Sequence, residues 1–433
     1  MIPSRYKWTV LALFWLIYFM NQADRQVLFS LFPLIQKEFG LTDAHLGLLG
    51  SSFFWVYAIL VPIAGTLGDR LSRKRIIVGA LLVWSAATCT SGLVSGYALL
   101  LAFRALTGAG EAFYYPAANS MISDYHGQST RALAMGIHQT SVYLGIVGSG
   151  TLAGYLGQVY GWRTAFLAFG AVGLVLAVVA SRFLLEPQRG AAEVSHPGQA
   201  ARPEQAREAP ALSERPLREG LRQATSTPTF WLLAAAFLCM KLVDAAYLAW
   251  MPTLLYRKFS LSLATAGFHA TFWHHAGAML GVLIGGRVSD WWAVRSPLSR
   301  PLVQVAGLLL GAPFIYLLGA AGDTMVVYAA LLLFGLFRGF YDSNLFASLY
   351  EVVRPESRAT ATGLMLCSAF LGGGSAPLVI GLLSRRFPLA EAMSFTGALY
   401  ALGGLILILD CAVWFRRDAG RTREAQSPVL EHS

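Results

Sequence analysis

The chain has 433 residues, of which 56 % are hydrophobic and 13 % charged, and its mean hydropathy is +0.55. Soluble domains carry roughly 25 % charged residues, so these figures exclude a soluble enzyme or binding module and predict an integral membrane protein. A net charge of +10 raises the question of nucleic acid, but the basic residues follow the order of membrane loops rather than forming one patch.

A helical pass through a bilayer takes ~20 apolar residues. Twelve such segments fit into the chain, and no large soluble domain has room beside them. The first, 8–32, is rich in Leu, Phe, Trp, Ile, Val and Met yet holds Asn21, Asp24 and Arg25. On a helix these three share a face. A charge at the bilayer centre costs at least ~2.5–3.5 kcal/mol, so that face must meet protein or a water-filled cavity. The stretch is too long for the apolar core of a cleavable signal and no small-residue cleavage site follows it, so it reads as the first spanning helix.

The second segment, 46–67, offers Trp55 and Tyr57 as ligand contacts and runs into Gly65-Thr-Leu-Gly-Asp69-Arg70-Leu-Ser-Arg73-Lys74-Arg75 ahead of the third, 76–95. In the fourth, 98–123, Arg104, Gly108, Glu111 and Tyr115 fall on one helical face. Gly108 and Gly110 leave room there for a close neighbour such as the first segment. The fifth, 132–155, carries His138 and Gln139 and then the small residues Gly145, Gly148, Ser149, Gly150 and Gly154. Small residues let helix backbones approach or slide. The sixth is 163–185. Residues 186–228 are rich in Ala, Arg, Glu, Pro, Gln and Gly without an apolar run, which predicts a flexible linker. The seventh segment, 229–254, holds Lys241 and Asp244; the eighth, 264–286, holds the adjacent His274 and His275, of which only one can face a cavity. The ninth, 302–320, is plain. The tenth, 324–350, holds Arg338, Asp342 and Asn344; the eleventh, 359–383, has Gly372, Gly373, Gly374, Ser375, Ala376 and Pro377; the twelfth is 391–415.

With the N-terminus assigned to the cytoplasm, 23 of the 33 Lys and Arg fall on cytoplasmic segments. The opposite side has Lys37, Arg163, Arg257, Lys258, Arg385 and Arg386. Setting aside the linker, the bias still follows the positive-inside rule and places both termini in the cytoplasm. Cys89, Cys239, Cys367 and Cys411 stand singly inside segments, without metal-ligand or redox spacing. No His-Glu-x-x-His, Gly-x-Ser-x-Gly or phosphate-binding loop is present, which argues against a membrane enzyme or an ATP-driven pump.

The two halves echo each other. Gly65-x-x-x-Asp69 recurs as Gly286-x-x-x-Asp290 after 221 residues, and Asp24 is nearly matched by Asp244 at 220. Arg131-Ala-x-Ala-x-Gly136 recurs as Arg358-Ala-x-Ala-x-Gly363 at 227, and Gly145 and Gly154 recur at the same offset as Gly372 and Gly381. A duplicated six-helix unit is predicted, a known transporter plan. The interior then sets Arg25, Arg104, Lys241 and Arg338 against Asp24, Glu111, Asp244 and Asp342. Ionised together these are neutral. An incoming organic anion unbalances them, and a proton on one carboxylate restores neutrality and frees an Arg, whose planar fork takes a carboxylate bidentately. For Lys241–Asp244 and Arg338–Asp342, intrahelical pairs that only offset their own burial are the alternative.

Gly65, Asp69, Arg70, Arg73 and Lys74 resemble the signature loop between the second and third helices of the major facilitator superfamily, with Ser72 where that family usually has glycine. Gly286 to Asp290 resembles its weaker second copy, and Gly161-Trp162-Arg163 before the sixth segment agrees. Asn21-x-x-Asp24-Arg25 together with Arg104-x-x-x-Gly108-x-Gly110-Glu111-Ala112-x-x-x-Pro116 resembles the anion:cation symporter branch, which includes sugar-acid transporters; Spinster-like transporters share much of the pattern. The resemblance implies an all-α membrane protein with twelve transmembrane helices in two pseudo-symmetric six-helix bundles, 1–185 and 229–415, joined by the linker 186–228 and followed by a cytoplasmic tail, 416–433. It implies proton coupling at Asp24 and Glu111, with Arg25 and Arg104 as their partners or the substrate's, and gating by the loop from Gly65 to Lys74. Tyr57, Gln139 and Asn344 are further candidate substrate contacts. The expected function is proton-coupled symport of a small organic anion, a hexonate or hexuronate, by alternating access. The alternative is a Spinster-like carrier of lysolipids or other amphiphiles. No cofactor, metal or nucleic acid is expected. The partners are the anion, a proton and the lipid bilayer, and the expected setting is a monomer in a cell membrane of bacterial inner-membrane type.

Overall fold

The computed structural model describes residues 5–189, 222–223 and 225–424, apart from the side chains of residues 66, 68, 69, 128, 356, 359, 423 and 424. The described elements are helices: α1 Tyr6–Phe39, α2 Asp43–Arg70, α3 Arg73–Ser91, α4 Tyr97–Glu111, α5 Tyr114–Tyr125, α6 Gln128–Tyr160, α7 Trp162–Phe183, α8 Pro228–Phe259, α9 Leu263–Ala293, α10 Ser299–Ala320, α11 Thr324–Asp342, α12 Leu345–Val352, α13 Arg358–Gly373, α14 Ala376–Leu383, α15 Leu389–Val413 and α16 Phe415–Glu424. Among the described residues, seven helical stretches are long and apolar enough to cross a membrane. They cover α2, α7, α8, α10, α11 with α12, the pair α13 and α14, and α15.

Two compact units emerge. Unit 1 comprises Met1–Ala211 with Ser260–Phe268, and unit 2 comprises Leu212–Phe259 with His269–Ser433. In unit 1 the core is formed by α1, α3, α5, α6 and α7, with Phe14, Ile17, Trp84, Tyr114 and Ala134 fully buried. Connections are tight where glycine permits it. Gly40 closes α1 at φ +62° and returns its N–H to the Gln36 carbonyl. Gly161 links α6 to α7 at φ +89°, a conformation that favours glycine. In unit 2, Asp418 of α16 accepts from the Thr229 N–H (3.3 Å) and from its hydroxyl (2.8 Å), which ties the C-terminal helix to the start of α8.

Three predicted segments are interrupted. The fourth divides into α4 and α5 at Ala112–Phe113, the tenth into α11 and α12 at Ser343–Asn344, and the eleventh into α13 and α14 at Gly374–Ser375. Pro116 and Pro377 each lack the N–H that would bond four residues back, to Ala112 and Gly373. In the tenth segment the Ser343 hydroxyl and the Asn344 amide both donate to the Phe340 carbonyl, at 3.1 Å each, in competition with the helix ladder. Tyr115 lies beyond the first break and is exposed, so it does not continue the face of Arg104 and Glu111.

Glycine contacts also differ from expectation. A Cβ on Gly108 would lie 2.5 Å from the Phe53 carbonyl oxygen of α2, and one on Gly110 would lie 2.8 Å from the Trp84 nitrogen of α3. These glycines seat α4 on α2 and α3, not on α1. It is Gly145 of α6 that meets α1, at the Phe19 carbonyl (2.7 Å), and Gly373 of α13 that meets α8, at Lys241 (3.0 Å).

Candidate functional site

In unit 1, α1, α2, α3 and α4 bring a charged cluster together. Arg25 Nε donates to Glu111 Oε2 at 2.6 Å; the Glu111 side chain is fully buried and that of Arg25 is 13 % exposed. The Arg25 guanidinium lies 4.6 Å from the Tyr57 ring centroid and 5.2 Å from that of Phe53. Such cation–π contacts contribute ~0.5–2 kcal/mol each. The Arg104 guanidinium lies 5.1 Å from the centroid of the same Phe53 ring and donates from Nη1 to the backbone carbonyl of Asp24 at 3.2 Å. Its Nε and Nη2 have no hydrogen-bond partner. Asp24 has no exposed surface, and neither of its carboxyl oxygens is hydrogen-bonded. The groups acting on it are Glu111, Arg104 and the indole N–H of Trp84, which faces it without closing a hydrogen bond.

The four expected residues are therefore neighbours, but the pairing crosses over. Arg25 pairs with the glutamate of α4 rather than with adjacent Asp24, whose Cβ leaves the helix about 100° away. Arg104 holds the Asp24 backbone instead of its carboxylate. Gln139 on α6 is exposed, whereas adjacent His138 is buried, with Nε2 3.2 Å from the Tyr114 hydroxyl and its ring stacked on Tyr18 at 4.6 Å. Phe53 and Trp84, which wall the cluster, carried no signal beyond being aromatic.

Unit 2 has a counterpart. Arg338 Nη1 is 3.0 Å from Asp244 Oδ1, and Nη2 donates to Oδ2 at 3.2 Å. Lys241 Nζ reaches the same Oδ2 at 3.3 Å, and Arg338 Nε faces Asp342 Oδ2 at 3.4 Å. The intrahelical pairs exist, but an interhelical fork joins them into one network. His274, on α9, is 3.0 Å from Arg338 Nη1, while His275 turns to the Thr271 carbonyl at 2.7 Å. Asn344 spends its amide N–H groups on the Phe340 carbonyl and the Ser343 hydroxyl within its own segment.

The basic loop between α2 and α3 is organised by Arg73. Its side chain is buried, and it donates to Glu186 Oε1 (3.0 Å), the Ser120 hydroxyl (3.0 Å), the Pro187 carbonyl (3.0 Å) and Asp124. Glu186 also accepts from the Lys74 N–H (2.7 Å) and the Ser72 hydroxyl (2.8 Å), so a carboxylate from beyond α7 caps the N-terminus of α3. Partial burial pushes the Glu186 carboxyl up, but Lys74, Arg73 and Ser72 outweigh it and hold it below its ordinary value. Arg70 is exposed, Gly65 has open space where a Cβ would stand, and the side chain of Asp69 lies outside the described residues. The second copy of the loop carries Arg300 Nη1 2.6 Å from Glu351 and its Nη2 3.8 Å from Asp290. Asp124 and Glu186 were invisible as partners in the sequence, since the first sits at a helix end and the second opens the stretch read as a linker; residues 190–221 and 224 of that stretch lie outside the described residues.

A family model described as Major Facilitator Superfamily matches residues 14–377. The Xenopus laevis protein named Protein spinster homolog 1 is 30 % identical over 413 residues, 90 % of this chain and 76 % of that protein. The D-galactonate transporter of Escherichia coli O6:H1 is 26 % identical over 424 residues, 94 % of this chain and 96 % of the other. The crystal structure of a bacterial homologue of the human lysosomal transporter Spinster, inward-facing and unoccupied, superposes with a TM-score of 0.79 at 24 % identity and covers 98 % of both chains.

Proposed function

Since the chain belongs to the major facilitator superfamily, we propose that this multi-pass membrane transporter is a proton-coupled symporter of a small organic anion of the sugar-acid class, working by alternating access. It is a carrier of a small molecule and not an enzyme. The observation that carries the reading is the crossed cluster in unit 1: one carboxylate, Glu111, occupies Arg25, while the other, Asp24, is buried without a hydrogen bond.

An ionised carboxylate buried without a hydrogen bond costs several kcal/mol. Asp24, whose carboxyl Arg104 and the Trp84 indole approach without hydrogen-bonding, is the carboxylate this reading assigns a proton. Arg25 is the one member of the cluster with an exposed edge, and Tyr57 holds its plane. A substrate carboxylate competes with Glu111 for that guanidinium. Once displaced, Glu111 is a buried carboxylate without its cation and takes up a proton. The network of Lys241, Asp244, Arg338 and Asp342 balances charge in unit 2, and exposed Gln139 offers a polar contact to the substrate. The Gly65–Lys74 loop, fixed through Arg73, steadies one gate. The transporter works as a monomer with both termini in the cytoplasm of a bacterial inner membrane. The test is uptake of hexonates and hexuronates into proteoliposomes with an inward proton gradient. Full proton-driven uptake by both Asp24→Asn and Glu111→Gln would sink the coupling scheme.

A second reading has its own support. An apolar groove of about 470 Å³, lined by Trp8, Leu11, Ala12, Trp15, Leu16 and Ile137, runs along α1 and α6. It fits an acyl chain, as a lysolipid carrier of Spinster type requires. Stabilisation by lysolipids alone, unaffected by Arg25→Ala, would favour that reading.

A further inference from the structure

Arg338 divides its guanidinium among three helices. Besides the fork to Asp244 of α8 and the contact to Asp342 of its own helix, Nη1 meets His274 Nε2 of α9 at 3.0 Å. A guanidinium has donors only, so Nε2 is the acceptor and the neutral ring carries its proton on Nδ1. That Nδ1 is buried without a partner, and His274 has no exposed surface. Buried polar atoms are nearly always hydrogen-bonded, so an unpartnered ring nitrogen beside a charged network calls for an explanation that packing does not supply. The ring is walled by Tyr247 at 4.4 Å and Phe334 at 4.6 Å. The charged or titratable groups around the network are Lys241, Asp244 and Tyr247 of α8, His275 of α9, Arg338 and Asp342 of α11, and Tyr400 of α15. The Asp244 and Asp342 side chains are 18 % and 31 % exposed, so the network reaches the surface of unit 2 through its carboxylates.

We propose that His274 is a further protonation site of the transport cycle, housed in unit 2 and acting through Arg338. A proton delivered from water by way of Asp342 and Asp244 forms an N–H bond at Nε2. The acceptor of Arg338 thereby becomes a donor and a cation. Arg338 leaves the imidazole and stays with Asp244 and Asp342, while the imidazolium turns its new N–H to Asp244. On the opposite side of the membrane the proton returns to water and the Arg338–His274 bond reforms. The cycle then moves one proton more than Asp24 and Glu111 provide. This rests on the proton-coupled reading above.

His274→Gln keeps a carbonyl to accept from Arg338 but takes no proton; His274→Asn serves if Gln is not tolerated. Purified protein is reconstituted and uptake of a hexonate is driven either by a pH gradient or by a potassium–valinomycin potential alone. One charge fewer per cycle lowers the limiting accumulation about 50-fold per 100 mV. The expected result is that H274Q still responds to the pH gradient but loses about that factor under potential. Equal potential-driven accumulation by H274Q and wild type overturns the inference. If wild type takes up no organic anion, the symport reading has failed, and the site is judged from melting temperatures without substrate. A difference between wild type and H274Q that changes between pH 5 and pH 8 supports a titrating His274, and a constant difference overturns it.

Discussion

Glu111→Gln separates the two tasks of the unit 1 cluster. Gln is nearly isosteric with Glu, so the packing around the fully buried side chain is kept. What disappears is the charge-assisted bond of 2.6 Å from Arg25. Hydrogen bonds to charged groups contribute roughly 1.5–3 kcal/mol net. In the wild type a substrate carboxylate must displace that bond. In the variant it meets only a neutral amide, so binding tightens by about 10- to 150-fold at neutral pH. The same change removes the group that takes up a proton on displacement. Binding by the variant loses the pH dependence that Glu111 confers, and proton-driven accumulation falls while exchange of bound anion persists. Calorimetric titration with a hexonate at pH 5.5 and 7.5, beside uptake, measures both. A Glu111→Gln protein that binds no more tightly than wild type at pH 7.5, or that keeps the wild-type pH dependence, refutes the competition between Glu111 and substrate for Arg25.

Other outcomes follow from the packing and the caps. Gly108→Ala places a methyl 2.5 Å from the Phe53 carbonyl oxygen, a backbone atom, and lowers stability by about 1–3 kcal/mol, read as a fall in melting temperature in detergent; an unchanged melting temperature contradicts the seating of α4 on α2. Asp418→Ala removes the cap of α8 and costs about 1 kcal/mol; it also exposes α16 to protease, and wild-type resistance to cleavage counts against the tie. The Glu186 carboxyl is held below its ordinary value of 4.5, so its stabilisation is fully present above that value and is lost as pH falls through the lowered one. Glu186→Gln is therefore less stable than wild type at pH 7, and the gap closes below pH 4.5; a gap that is constant down to pH 3 contradicts the cap.

Much of the architecture was legible because a bilayer allows few solutions: backbone polar groups must be satisfied within each pass. The length and apolarity of the segments, and charges such as Asp24 and Arg338 set inside them, stand in the sequence. The interruptions at Ala112, Ser343 and Gly374 are subtler. Pro116 and Pro377 were read as members of continuous apolar runs, although each removes a donor for the residue four positions earlier. The membership of the unit 1 cluster was legible and its wiring was not. Periodicity assigns Arg25 and Glu111 to faces, but which carboxylate meets which guanidinium depends on where α1 and α4 are each seated, α4 on α2 and α3 through Gly108 and Gly110 and α1 on α6 through Gly145. The role of Glu186 was hidden for a similar reason: nothing local marks a residue that caps a helix 113 positions away.

The most direct test of the central claim is accumulation of a labelled hexonate in proteoliposomes under an inward proton gradient, for wild type and for a protein carrying both Asp24→Asn and Glu111→Gln. Accumulation above the outside concentration by wild type, with far lower accumulation in the double variant, which keeps only the proton assigned to His274, is the predicted result. Equal accumulation by both proteins would place proton coupling outside Asp24 and Glu111 and contradict the account.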